Sequence, residues 1–196
     1  FLVCILSHYL MRIYTKTGDT GQTSLYGGQR VDKDATQIQV VGEIDELNAY
    51  LGLARSANDN FQINEVLQRV QHELFSLGAE LGTPSNHHHK LTFQMAQQQV
   101  SQLEIDIDTL ENELPPIRQF ILPGGALSSS VLHLARTVCR RCERRVVALS
   151  KDQPVAPEIF QYLNRLSDLL FVVARLTNAK IGVADVFWTQ PPPQQR

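Results

Sequence analysis

The sequence predicts an all-α protein, a five-helix up-and-down bundle behind a glycine-rich N-terminal loop, and three observations carry that prediction. Apolar residues recur at steps of three and four in five successive runs, each closed by glycine, proline or a polar stretch. No strand–helix–strand alternation breaks the pattern. The chain has 196 residues, 43% hydrophobic and 19% charged, enough apolar surface for one packed core and too much for a disordered chain.

The elements follow in order. Residues 14–36 are rich in Thr, Gly, Ser, Asp and Lys and lack a helical period, which makes them a loop or hairpin. From Val41, Ile44, Leu47, Leu51 and Ala54 share one face of a helix over about 41–57. A second run, from Ile63 through Leu67, Val70, Leu74 and Leu77 to Leu81, stops at Gly82-Thr83-Pro84. The tandem His87–His89 falls in a loop, for which a solvent loop is the plain reading and a metal site the other. A third helix, Met95 to Leu114, is closed by Pro115-Pro116, and an extended piece, Arg118 to Pro123, leads to Gly124-Gly125. The longest run, Leu127 to Leu149, presents Val131, Ala135, Val138, Cys142, Val146 and Leu149 as a bundle seam. Pro157 opens the last helix, whose Ile159, Leu163, Leu166, Leu170 and Val173 repeat that seam. Phe187-Trp188 reads as an ordered end, and residues 191–196 as a tail.

At the other end, the apolar residues 1–10 are far short of the roughly 20 that a spanning helix needs, and they lack the basic flank of a signal peptide. Met11 is the expected start, residues 1–10 an upstream extension, and 11–190 one domain. Eighteen basic against twenty acidic residues give a formal charge of −2, which on average argues against nucleic acid and anionic membranes. Three cysteines, Cys4, Cys139 and Cys142, are too few for a disulfide framework, so a reducing, cytoplasmic setting is expected.

Charge is nonetheless clustered. RTVCRRCERR, residues 136–145, holds five arginines and one glutamate. Arg136, Arg140 and Arg144 share one helical face, with Glu143 close by, opposite the apolar seam. Guanidinium groups suit phosphate oxygens and stay charged when partly desolvated, although a solvated face or inter-subunit ion pairs would use the same residues. The loop Tyr14 to Asp34 offers Gly18, Gly21, Gly27 and Gly28 for close backbone approach, hydroxyls from Thr15, Thr17, Thr23 and Ser24, and the charges of Lys16, Arg30 and Lys33. That inventory suits a polyphosphate or a plain surface loop, and it is not the G-x-x-x-x-G-K-[ST] motif. Asn164-Arg165-Leu166-Ser167-Asp168 allows Asp168 to pair with Asn164 or Arg165 within a turn, with Arg175 two turns on. Cys139 and Cys142 lie within a helix without a second ligand pair, so they fill the seam and zinc is not expected. His72 and His133 are given no catalytic weight.

Five motifs, TKTGDTGQTSL at 15–25, VGEIDELNAYLG at 41–52, FILPGG at 120–125, ARTVCRRCERRV at 135–146 and NRLSDLLFVVAR at 164–175, together resemble the PduO-type ATP:cob(I)alamin adenosyltransferases. The resemblance implies a homotrimer of five-helix subunits with active sites between neighbours, which moves the 5′-deoxyadenosyl group of ATP to the cobalt of cob(I)alamin and releases triphosphate. Its implied co-substrate is ATP with Mg2+, and its substrate is cobalamin. By the same resemblance Thr15, Lys16, Thr17, Gly18, Thr23, Ser24 and Lys33 line the ATP phosphates, making the loop nucleotide-binding. Arg140, Arg141, Glu143, Arg144 and Asn164 complete the nucleotide site. Asp45 meets Arg136 of a neighbouring subunit, and Phe120 faces the lower side of the corrin ring, where it helps exclude the lower cobalt ligand. Residues 1–10 and 87–89 lie outside the shared pattern. A cob(II)alamin reductase and an adenosylcobalamin-dependent enzyme are the implied partners. A nucleotide or adenosylcobalamin delivery protein on the same bundle is the alternative activity, and a purely structural bundle leaves the Gly/Thr/Lys loop without a purpose.

Overall fold

Five α-helices, one short 3-10 helix and one two-stranded hairpin make up the computed structural model, which describes residues 13–190. The expected upstream extension 1–10, the start at Met11, Cys4 and the tail 191–196 lie outside the described residues. The hairpin pairs β1 (Gln22–Ser24) with β2 (Arg30–Asp32), antiparallel, in the register Thr23 to Val31. The helices are α1 (Thr36–Ser56), α2 (Phe61–Leu81), α3 (Gln97–Glu111), α4 (Leu127–Leu149) and α5 (Pro157–Lys180).

Side-chain pairs fix the helix directions. Arg145 meets Glu43 and Ser128 meets the Ala54 carbonyl, so α1 and α4 run antiparallel. Arg55 reaches Gln68, and Asn48 reaches the Gln71 carbonyl, so α1 and α2 also oppose. Asn178 contacts Gly124 and Ala126 while Asn164 contacts Glu143, which opposes α4 and α5. Arg165 with Glu104 and Lys180 with Glu113 set α3 parallel to α5. The chain therefore alternates up and down through all five helices, and the seam positions read from the sequence are buried in one shared core.

The boundaries differ from expectation in three places. α1 begins at Thr36 instead of 41, because Val40 is buried and carries the Ile44–Leu47–Leu51 face back by another turn. α3 spans 97–111 instead of 95–114. Met95 is held outside it by its N–H to Glu80, and Leu114 precedes Pro115, a position that disfavours helical backbone. The segment 85–90 is a 3-10 helix and not an open loop. Asn60 caps α2 by accepting from the Ile63 N–H at 3.0 Å, and Pro157 opens α5. No helix among the described residues is long and apolar enough to cross a membrane.

The α4 entry turn depends on one glycine. Gly125 has φ +103°, and a Cβ there would stand 2.3 Å from the Asn178 Oδ1 that accepts from the Ala126 N–H. Gly125→Ala is expected to lower the unfolding free energy by about 2 kcal/mol, from strain and lost capping together. Urea denaturation reads it directly.

Buried Glu80 supplies a pH dependence. Burial raises its carboxyl above the ordinary value of 4.5, while the Met95 N–H and His88 lower it and Glu158 adds to the rise. The folded state therefore keeps this proton to higher pH than the unfolded chain. Its contribution favours folding in acid and is lost as pH rises from 4.5 through the folded value. In Glu80→Gln that slope is expected to vanish, so the difference in urea midpoint between wild type and variant is flat below pH 4.5 and changes above it.

Candidate functional site

The N-terminal arm gathers one group of the expected residues. Buried Leu25 pins the hairpin to the bundle, and its tip turns through Gly27 and Gly28 at φ +88° and +89°. In the preceding loop Lys16 adopts φ +58°, the single positive-φ non-glycine among the described residues, and its ammonium lies 5.8 Å from the Tyr14 ring centroid. Thr15 and Thr17 share a hydroxyl hydrogen bond of 2.9 Å. The Lys33 ammonium stands against Gly18, where a Cβ would come within 3.1 Å of it. Arg30 ties loop to hairpin by donating to the Thr17 carbonyl at 2.8 Å and to the Ser24 hydroxyl at 3.1 Å. Thr15, Lys16, Thr17, Gly18, Ser24 and Lys33 thus form one cluster, joined by Arg30, whose charge the loop composition offers to a polyphosphate but to which the family resemblance gives no role. Thr23 and Ser24 also line an apolar groove between α1 and α2, together with Asp45, Asn48 and Phe75.

The second group sits on α4 and α5. Arg141 pairs with Glu43 and Glu46, and Arg145 with Glu43, so these two arginines clamp α4 to α1. Arg136, Arg140 and Arg144 have no ion pair among the described residues. Arg144 donates to the Arg140 carbonyl, and the Arg136 Nε is buried without a partner. Like charges four apart on a helix repel, so a run of three unneutralised guanidinium groups is a place where an anion is wanted. Beside it, Asn164 donates to Glu143 at 3.5 Å and accepts from Arg165 at 2.9 Å.

One expectation is corrected here. Asp168 does not pair with Asn164 or Arg165, because Arg165 turns toward Glu104 on α3 and Asn164. Arg175 lies apart from that group, buried and paired with Asp185 while donating to the Pro115 carbonyl.

Phe120 stands outside both groups and outside the core, with 82% of its surface exposed. Its backbone is nonetheless fixed: its carbonyl accepts from the Trp188 N–H at 2.7 Å, and the Leu122 N–H donates to Val186 at 2.8 Å. Ordinary core packing does not account for this ring. Asp45 and Arg136 do not meet within the chain. Asp45 faces the α1–α2 groove, and no hydrogen bond or ion pair among the described residues joins the N-terminal arm to α4 or α5.

The remaining titratable candidates are structural. Burial pushes the Cys142 thiol up to about 12 and the Cys139 thiol well above its ordinary value, so both are neutral thiols filling the seam. His133 is buried against Phe171, and burial together with Arg136 lowers its pKa against the opposing pull of Asp185, which keeps the ring neutral. Among the described residues no three His, Cys, Asp or Glu side chains are grouped to hold a metal ion, His87–His89 included.

Against known proteins, residues 13–177 match the family model for cobalamin adenosyltransferases. A corrinoid adenosyltransferase of Bacillus subtilis is 45% identical over 180 residues, which cover 90% of this chain and 91% of that protein. Corrinoid adenosyltransferase PduO of Citrobacter freundii is 43% identical over 84% of this chain, which spans 49% of that longer protein. A variant PduO-type ATP:corrinoid adenosyltransferase from Lactobacillus reuteri, solved complexed with cobalamin and ATP, superposes with a TM-score of 0.85 at 35% identity, covering 91% of this chain and all of that one. A mostly helical bundle, a Gly/Thr/Lys arm carrying a short hairpin, an unneutralised arginine face and an exposed, braced aromatic thus coincide with matches along nearly the whole chain, and the chain belongs to the cobalamin adenosyltransferase family.

Proposed function

We propose that this protein transfers the 5′-deoxyadenosyl group of ATP to the cobalt of cob(I)alamin, giving adenosylcobalamin and triphosphate. One observation carries the reading: among the described residues no hydrogen bond or ion pair joins the arm, with Asp45 in the groove beside it, to the α4–α5 group with Arg136, and neither group alone offers all that the reaction needs. A homotrimer, with the arm of one subunit set against α4 of the next and Asp45 paired across the interface with Arg136, would complete the site. Large apolar side chains left exposed along the helices, Leu53, Phe75, Leu134 and Val147 among them, support burial against a second copy.

The chemistry asks little of the protein beyond placement and charge. The cobalt(I) lone pair attacks C5′, the Co–C bond forms, the C5′–O bond breaks, and triphosphate leaves with the electron pair. No proton moves, so no general base is required. The chain must align C5′ with cobalt and stabilise the departing anion. Arg140, Arg144, Lys16 and Lys33 supply positive charge for the leaving triphosphate. Thr15, Thr17, Gly18, Thr23 and Ser24 offer hydroxyls and backbone N–H groups along it. Arg141 fixes α4 through its pairs with Glu43 and Glu46, while Glu143 and Asn164 hold the nucleoside end. Because no acidic or histidine cluster among the described residues is grouped for a metal, Mg2+ would be carried mainly by the phosphates, where it would neutralise charge. Phe120 presents an apolar face to the lower side of the corrin, which disfavours a polar lower ligand and eases reduction of cob(II)alamin. The unpaired Cys139 and Cys142 support a cytoplasmic setting, in which a cob(II)alamin reductase and an adenosylcobalamin-dependent enzyme would be partners.

The purified protein, mixed with ATP, Mg2+ and chemically reduced cob(I)alamin, should give the absorbance change to adenosylcobalamin. Absence of ATP-dependent conversion would overturn the reading. Light scattering tests the trimer separately, and a monomer at assay concentration removes the shared site.

A further inference from the structure

The 3-10 helix Ser85–Lys90 lies outside every motif used so far, yet it is firmly held. His88 Nε2 bonds to the Thr83 carbonyl at 2.9 Å, and Gln94 donates to the His88 carbonyl at 3.0 Å. Thr83 donates back to Ala79 at 2.7 Å, and the Met95 N–H that follows is caught by Glu80. The segment is thus tied at both ends to the last turn of α2. From this base His87 reaches the tip of the hairpin. A Cβ on Gly27 would stand 2.5 Å from the His87 Nδ1 and Cε1, so the ring occupies the space that any other residue at 27 would fill. The Tyr26 ring meets it edge-on at 6.3 Å. His87 Nδ1 is buried without a hydrogen-bond partner, so the contact is one of shape and not of polarity. A buried polar atom left unsatisfied is tolerated where its surroundings over-determine its place.

Resting on the reading of the arm as the phosphate-binding half-site, we propose that His87 is a positioning residue for ATP. It fixes the hairpin tip against α2. Through the short β1–β2 ladder and the two Arg30 hydrogen bonds, that placement reaches Ser24 and Thr17. Beside His87, buried Leu25 anchors the arm, and three-residue strands cannot fix their own orientation.

The test uses the full-length protein, with amide hydrogen exchange and steady-state kinetics on the same variants. In His87→Ala the Leu25 and Gly28 amides, bonded to Gln29 and Leu25 carbonyls, should exchange faster in nucleotide-free protein. KM for ATP should rise about tenfold, while KM for cob(I)alamin and kcat stay within about twofold. His87→Phe keeps a ring of similar shape and should restore both readouts. Gly27→Ala should also raise KM for ATP, but by less in a His87→Ala background, where the collision is gone and only the backbone strain remains. Unchanged exchange in His87→Ala would overturn the brace. Faster exchange with an unchanged KM for ATP would overturn the positioning role, as would independent, multiplicative effects of the two substitutions. If instead the wild-type protein formed no adenosylcobalamin, the parent reading would fail, and the exchange data would still decide whether His87 braces the arm.

Discussion

Arg140→Ala is expected to reduce kcat/KM for ATP by about 10²–10³-fold, the scale on which removing one preorganised charge-stabilising donor acts. The loss should fall mainly on kcat, because negative charge on the leaving oxygen grows toward the transition state and the guanidinium counts most there. Arg140 is exposed and carries no ion pair among the described residues, so Tm should move by no more than about 2 °C. Arg145→Ala is the matched control. It removes a neighbouring charge on the same helix, but one already committed to Glu43, and should cost a little stability and little activity. Equal kinetics for the wild type and Arg140→Ala would remove the arginine face from the reaction.

Phe120→Ala should separate two assays. When cob(II)alamin must be reduced in place, the rate is expected to fall by about two orders of magnitude, because the apolar face that displaces the lower ligand is gone. With chemically prepared cob(I)alamin, whose metal has no lower ligand to lose, the deficit should shrink to about tenfold or less. The four-coordinate cobalt(II) signal should disappear from the spectrum in parallel. Because the ring is 82% exposed and outside the core, the variant should melt close to wild type. A full four-coordinate signal in the variant would assign the activation elsewhere.

Much of the bundle was legible because burial and helical period coincide. Ile44, Leu47, Leu51 and Ala54 sit at the predicted steps and are buried together. The first turn of α1 was not, since Gln37-Ile38-Gln39-Val40 alternates polar with apolar residues, and only packing of Val40 against the other helices decides the matter. The hairpin stayed ambiguous because strands of three residues are too short to display a period. At the site, residue chemistry pointed to the arm and to the arginine helix. Which arginines are neutralised did not follow from the sequence, because Glu46 and Arg141 are 95 positions apart. The exposure of Phe120 was equally hidden. Phe120-Ile121-Leu122 has the composition of core, and its display depends on the pairing with residues 186–188 far along the chain.

That pairing gives the protein an optical label of its own. Trp188 is the chain's single tryptophan, and its N–H is bonded to the carbonyl of Phe120. A corrin settling on the Phe120 face would come close to the indole, and corrins absorb light across the near-ultraviolet and visible range. Intrinsic fluorescence should therefore quench as cobalamin binds and recover as product leaves, reporting occupancy of one surface in real time in the unmodified protein.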